Sequence, residues 1–134
     1  MKMISEQFIG ILKSRFKPNQ IRTNPIELDL YSSDGLQLHR ATPKCVILPE
    51  TTDEISWIVE NCNQYNIPYV PRGSGTGLSG GAVIDGGLII QMSRLNKILE
   101  IDIPNKCAIV QPGVVNSHLS QEVNSEGYHF APDP

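Results

Sequence analysis

The sequence predicts an α+β fold, a strand–helix–strand unit that presents a glycine-rich loop and is followed by antiparallel pieces. Three observations predict it. A short apolar run, Cys45–Leu48, leads through an amphipathic segment to a second short run at Ile67–Val70. Directly after that comes Pro71–Val83, with five glycines among thirteen residues. Further on, Ile98–Ile103 and Cys107–Gln111 flank Pro104-Asn105-Lys106 as the arms of a hairpin.

In chain order, Ile4–Phe16 reads as a helix. Ser5 is a suitable N-cap, Ile4 and Ile9 can staple across it, and Ile4, Phe8, Ile11, Leu12 and Phe16 trace one apolar stripe. Lys13, Arg15 and Lys17 complement the dipole at its end, and Pro18 stops it. The segment Asn19–Leu30 shows no period and reads as irregular, with Asn24-Pro25 as a turn. In Tyr31–Arg40, Ser32-Ser-Asp34-Gly35 reads as another turn, with Asp34 as a solvated turn residue. Residues 1–40 are thus a helix and a lead-in, and the domain proper, 41–134, begins near Ala41.

Cys45–Leu48 is apolar throughout, as a buried strand would be, and Pro49 ends it. Thr51-Thr-Asp-Glu54 has the form of a capping box, Thr51 capping and Glu54 reaching back. Ile55, Ile58, Val59 and Cys62 recur at helical spacing to about Tyr65, Asn66 suits the C-cap, and Ile67–Val70 follows as a strand. The three make a βαβ unit, expected to be parallel and right-handed, with the glycine loop at its carboxyl end. Leu88–Met92 reads as a further strand. Pro112-Gly113 breaks the hairpin's second arm, and Asn116 can cap a helix to about Glu126, with Leu119 and Val123 inward and Gly127 as its stop.

The loop carries the chemistry. Glycine admits positive φ and lets a ligand approach bare backbone, and successive amides in such turns form a nest suited to phosphate oxygens. Ser74, Thr76 and Ser79 add hydroxyls between the glycines. A flexible linker is the bland alternative, but linkers of glycine and serine lack an arginine, a leucine and strands on both sides. Gly75-Thr-Gly77-Leu-Ser-Gly80 satisfies G-x-G-x-x-G, yet Gly80-Gly81 and Gly86-Gly87 forbid the helix that the dinucleotide motif must open. A Walker loop needs Lys and Ser/Thr after its last glycine, and Gly81 is followed by Ala82.

Composition narrows the class. A chain of 134 residues is one domain at most. With 11 basic against 14 acidic residues, net charge −3, it has no polybasic surface for nucleic acid or anionic lipid. Cys45, Cys62 and Cys107 are odd in number and lack C-x-x-C spacing, which suits a reduced, cytoplasmic setting, with Cys45 and Cys62 as buried hydrophobes. No apolar run approaches the ~18 residues of a spanning helix, so membrane contact would be peripheral, through a partner. His39, His118 and His129 share no ligand spacing with Cys or carboxylates, and no metal site is expected.

Arg72-Gly-Ser-Gly-Thr-Gly-Leu-Ser-Gly-Gly81 resembles the signature of the FAD-linked oxidases of the vanillyl-alcohol-oxidase type, with their PCMH-type FAD-binding domain. The likeness continues through Gly87–Ile90, Ser93–Ile98, Val110-Gln-Pro-Gly113 and Ala131-Pro-Asp-Pro134, with Pro43 and Val46–Thr51 upstream. Within that family it is nearest to the glycolate oxidase D subunits and D-lactate dehydrogenases.

The resemblance implies FAD as cofactor. Gly73, Ser74, Gly75, Thr76 and Gly77 would wrap its diphosphate, and Leu78, Ser79, Gly80 and Gly81 would lead toward the isoalloxazine ring. Arg72 either touches the diphosphate or stands on a solvated face. Pro112, Gly113, Pro132 and Asp133 fall in segments that line the flavin. The implied fold is the first βαβ subdomain of the cofactor domain plus the start of the second, incomplete because family members continue past Pro-Asp-Pro into a second flavin segment and a substrate domain. The catalytic base would lie there, so no catalytic residue is assigned. The implied reaction oxidises a small 2-hydroxy acid, glycolate or D-lactate, and passes electrons to a partner subunit or quinone. The competing readings are an inactive fragment that at most binds the FAD diphosphate, another FAD-linked oxidoreductase of this fold, or a reductase of cell-wall precursor synthesis, whose loop is less similar.

Overall fold

The computed structural model describes residues 4–132. Helix α1 (Glu6–Arg15) opens at Ser5, whose hydroxyl accepts from the Phe8 amide at 3.2 Å, and ends at Phe16. The stripe Ile4, Phe8, Leu12 and Phe16 is buried. Residues 19–30 are more ordered than their lack of period predicts. A 3-10 turn at Pro18–Gln20 leads into β1 (Ile21–Arg22) and then α2 (Pro25–Asp29), where the Asn24 side chain accepts from the Ile26 amide at 2.9 Å. A two-residue strand leaves no periodic trace; it exists because it pairs antiparallel with β2 (Cys45–Ile47).

Helix α3 (Thr52–Tyr65) has Thr51 as N-cap, accepting from the Glu54 amide at 3.2 Å. The capping box is only half formed. The Glu54 carboxylate accepts from the Glu50 amide (2.7 Å) and Gln20 Nε2 (3.0 Å), so it ties α3 to the turn after α1. Asn66 closes the helix in the left-handed region, φ 54°, and the Ile67 amide donates back to Cys62 O at 2.8 Å. That bond holds Ile67 out of the sheet, and β3 runs instead over Tyr69–Arg72. Pro71 fits because β3 is an edge strand. After the loop comes β4 (Leu88–Gln91).

The sheet order is β1-β2-β4-β3, with β4 parallel to both β2 and β3. The predicted βαβ strands are therefore parallel but not neighbours, because β4 lies between them. Alternation divides the strand residues between two faces. Cys45, Ile47, Leu88 and Ile90 pack with α1 and with Ile58 and Cys62 of α3. Val46, Leu48 and Ile89 pack with Leu28, Tyr31, Val70 and Ile84. The stretch from Ile4 to Tyr31, ahead of the domain proper, thus supplies part of both cores. Phe8 against Tyr65 and Phe16 against Trp57, at ring-centroid distances of 5.6 and 5.5 Å, seat α1 on α3. Burial pushes the Cys45 and Cys62 thiols up to about 12, which makes them inert core residues.

A 3-10 turn at Met92–Arg94 connects to the hairpin of β5 (Ile98–Asp102) and β6 (Cys107–Val110), with a register shift between Ile98 and Glu100. Helix α4 (Asn116–Val123) follows and passes into a 3-10 turn, Asn124–Glu126, ending at Gly127 with φ 77°. Its N-cap is Val115 rather than Asn116, which lies inside the helix and sends its side chain elsewhere.

Candidate functional site

The glycine loop leaves the carboxyl end of edge strand β3, beside the end of β4, where Arg72 is paired with Gln91. Four attachments set its path. At its root, Gln91 Nε2 donates to Gly73 O at 2.9 Å. Midway, Gly75 sits over the Arg72 guanidinium with φ 75°, so close that a Cβ there would overlap the guanidinium. Next, the Gly35 amide donates to Gly77 O at 3.0 Å, and a Cβ on Gly35 would strike Thr76 O. At the far end, the Gly80 amide donates to Asp34 Oδ2 at 2.7 Å.

Three of these attachments correct the sequence-based expectation or add to it. Asp34 is not a solvated turn residue: it is 4% exposed, with Oδ1 accepting from the Leu36 amide at 3.1 Å. Burial alone would raise its pKa, but donation from the Gly80 amide and from those of Leu36 and Gln37 outweighs it and holds the carboxyl below its ordinary value. Arg72 is also buried, at 8% exposure. Its Nη1 donates to Ser33 O (2.9 Å) and Ala82 O (3.1 Å), and its guanidinium lies 5.6 Å from the centre of the Tyr31 ring. The side chain therefore braces the underside of the loop. Gln91 was read only as part of a strand, yet it holds the loop's root, and its Oε1 is buried with no donor among the described residues. The available signal for Asp34 and Gln91 was weak, a polar residue at a turn and at a strand end.

The upper side of the loop is different. Among the described residues, the amides of 74–79 are paired with no acceptor. Gly73, Ser74, Thr76, Gly77, Leu78 and Ser79 are exposed, and a Cβ on Gly73, Gly77 or Gly81 would meet nothing within 4 Å. The chain itself does not demand glycine at those three places; a ligand lying against the backbone would. Leu78, 65% exposed, offers an apolar side chain beside them.

Facing the loop is the start of α4. A cleft of about 300 Å³ is lined by Ser74 and Thr76 on one side and by Pro112, Val114, Val115, Asn116 and Ser117 on the other. The first amides of α4, whose N-cap makes no side-chain bond, add donors and the positive end of a helix dipole. Asn116 Nδ2 donates to Pro132 O at 2.8 Å, which brings the last segment to the same place. Gly113 turns away: its amide donates to Leu95 O at 2.8 Å and a Cβ would strike Met92 O, so glycine is required there by the connection to β5. Asp133 lies outside the described residues. A larger cavity, about 400 Å³, lies between the hairpin, α4 and Tyr128–Phe130, is mostly apolar, and does not touch the loop.

Among the described residues no group of three or more His, Cys, Asp or Glu is placed to hold a metal, and no helix is long and apolar enough to cross a membrane. What the loop and the α4 end can do chemically is hold an elongated anion by backbone amides and hydroxyls.

Comparison with known proteins bears on what that anion is. Residues 43–134 match the family described as "FAD binding domain". The chain is 44% identical over 106 residues to the glycolate oxidase subunit GlcD of Bacillus subtilis (strain 168), covering 78% of this chain and 23% of that protein. It is 40% identical over 109 residues to the subunit of that name in Escherichia coli (strain K12), covering 81% and 22%. A D-lactate dehydrogenase of Anaerostipes hadrus is 38% identical over 106 residues, covering 78% and 22%. The chain thus spans under a quarter of the length of these relatives. Among solved structures, 4-ethylphenol oxidase from Gulosibacter chungangensis superposes with a TM-score of 0.79 at 25% identity, over 93% of this chain and 26% of that one. An alkyldihydroxyacetonephosphate synthase superposes with a TM-score of 0.80 at 23% identity, over 98% and 26%, and shows the shared fold.

Proposed function

The chain belongs to the FAD-binding-domain family of FAD-linked oxidoreductases, and on that premise we propose that its glycine loop holds the diphosphate of FAD in an enzyme oxidising small 2-hydroxy acids. The observation that carries this reading is the run of amides from Ser74 to Ser79 with no acceptor among the described residues, in a loop whose Ser74 and Thr76 line a cleft with the N-terminal turn of α4.

The residues fit the group. Gly73, Ser74, Gly75, Thr76 and Gly77 supply backbone N–H groups and two hydroxyls to the diphosphate oxygens, with the first amides of α4 opposite. Bare backbone at Gly73, Gly77 and Gly81 leaves room for close approach. Leu78, Ser79, Gly80 and Gly81 continue toward the ring system, where the exposed Leu78 offers an apolar contact. Pro112 borders the cleft, Gly113 fixes the turn beneath it, and Pro132 is held to Asn116 at its edge; Asp133, outside the described residues, stays in the proposal through the resemblance alone. Arg72 acts from below, offsetting negative charge from a buried position while its donors stay on Ser33 and Ala82. The cofactor-binding unit is proposed to begin near Ala41, with Ser33, Asp34 and Gly35 of the lead-in shaping its loop.

Bound FAD would supply the two-electron acceptor for oxidation of a substrate such as glycolate or D-lactate to the 2-oxo acid. That substrate class rests on the names of the relatives, and electron transfer to a partner subunit rests on the word "subunit" in two of them. This chain's part is to bind and orient the cofactor; no residue in it is assigned as catalytic base.

Flavin fluorescence and absorbance during titration with FAD test the reading. The informative variant is Gly77→Val, because a Cβ there meets no protein atom within 4 Å and φ is not positive, so the apo fold should melt close to the wild type. The expected result is saturable binding by the wild type that is lost in the variant. Equal binding by both, or none by the folded wild type, would overturn it.

A further inference from the structure

We propose that Asp34 is a positioning residue for the phosphate cradle: its carboxylate, by holding the Gly80 amide and the turn at Leu36 together, fixes the loop in the shape that leaves the amides of 74–79 free for a ligand. The inference deepens the diphosphate reading and rests on it for its consequence in affinity.

The geometry argues it in three steps. First, the loop has few internal bonds, and its amides from 74 to 79 have no acceptor among the described residues, so its shape has to come from outside it. Second, the lead-in provides that support at two adjacent residues. Gly35 N–H holds Gly77 O, and Asp34 Oδ2 holds Gly80 N–H, which brackets Leu78 and Ser79 between two fixed points. Third, Asp34 occupies both of its oxygens with backbone amides and is 4% exposed, so it is not itself a ligand for an incoming anion. A carboxylate so near a phosphate site would repel the phosphate if it stood alone. The Arg72 guanidinium, buried on the same side of the loop and bonded to the neighbouring Ser33 carbonyl, faces that charge. The other groups near it are the Tyr31 ring against Arg72 and the His39 side chain beside Gly80. Asparagine is the discriminating replacement. It keeps the size but has one carbonyl oxygen in place of two, so one of the two amides must lose its acceptor.

The experiment is amide exchange by NMR on this chain without ligand, with FAD titration alongside, for the wild type, Asp34→Asn and Asp34→Ala. Gly80 N–H protection should fall about tenfold or more in Asp34→Ala, and that of Gly80 or of Leu36 should fall in Asp34→Asn, while Ile89 and Ile90 in β4 keep theirs. FAD affinity should fall about 10- to 100-fold, the scale of a lost charge-assisted hydrogen bond. In the wild type, the Gly80 amide resonance should follow a titration below the ordinary carboxylate range, a readout that needs no variant. Unchanged Gly80 protection and FAD affinity in Asp34→Ala would overturn the proposal. So would equal loss of protection at Gly80, Ile89 and Ile90, which would make Asp34 a residue of the fold at large. If the wild type shows the Gly80 behaviour but takes up no FAD, the role of Asp34 in shaping the loop stands and the FAD reading falls.

Discussion

An alanine at Gly75 has to adopt φ near 75° with its Cβ on the Arg72 guanidinium, whereas an alanine at Gly77 meets open space. Gly75→Ala should therefore lower stability by at least about 1–2 kcal/mol, the cost of the left-handed region alone. Gly77→Ala should stay within about 0.5 kcal/mol of the wild type, because it loses no contact and restricts the unfolded chain. Urea denaturation of the apo chain measures both, and equal losses would show that the two glycines serve the fold alike. The contrast marks what was legible here. Glycine spacing and the interleaved hydroxyls are local features, so the loop and its ligand class could be read directly. Which glycines answer to the chain and which to a ligand depends on Arg72 beneath them. Asp34 was misread for a related reason: its partner is 46 residues away, and nothing near a Ser-Ser-Asp-Gly turn distinguishes a buried carboxylate from a solvated one.

Helix ends were legible because capping is local. Ser5, Thr51 and Asn66 cap where their side chains and flanking patterns predict. Thr51→Ala should cost about 1 kcal/mol in thermal or urea unfolding, the usual loss for a threonine N-cap. The half-formed capping box shows where locality ends, since Glu54 is drawn off to Gln20 and the Glu50 amide. Glu50 itself joins three elements: the turn after α1 through Lys17 at 3.4 Å, the start of α3, and the turn after β4 through Arg94. Lys17, and Arg94 with it, holds the Glu50 carboxyl below its ordinary range. Its folded pKa is lowered, so its contribution is complete above the unfolded value and is lost as pH falls through the folded one. Asp34, with backbone donors, and Asp102, held by the Asn105 side chain and amide, act with the same sign. Stability should then be flat above about pH 5 and decline below it. Glu50→Gln should flatten that acid limb, and an unchanged slope of denaturation midpoint against pH would count against the assignment.

At the scale of the whole molecule, strand pairing was the least legible feature. Both flanking strands of the βαβ unit were recognised, and they are parallel as expected, but nothing local shows that a third strand lies between them. In fact Leu88–Gln91, wholly buried, is the strand with enough apolar surface on both faces to stand between them. The resulting mixed sheet, parallel across β2-β4-β3, is covered by α1 and α3 on one face and by Leu28 and Tyr31 on the other. The β5–β6 hairpin has less cover: among the described residues it pairs only with itself, α4 and Tyr128–Phe130 stand against it across a cavity, and Leu99, Ile101, Ile109 and Val110 are exposed. A two-stranded sheet is marginal by itself in water. Its anchorage to the rest runs through a few backbone bonds, Gly113 N–H to Leu95 O and Gln111 N–H to Lys97 O among them. Native-state hydrogen exchange should therefore resolve two levels of opening. Amides of Val46, Ile89 and Ile90 should exchange only with global unfolding, while those of the hairpin, such as Ala108 and Ile101, should exchange through a lower-energy opening that denaturant hardly accelerates. Because the phosphate cleft has one wall on the parallel sheet and the other at α4 beyond the hairpin, FAD bound across it should slow exchange in the hairpin more than in β4. Uniform exchange rates across both regions, with or without the cofactor, would mean that the hairpin is as firmly held as the sheet and that the cleft walls move as one body.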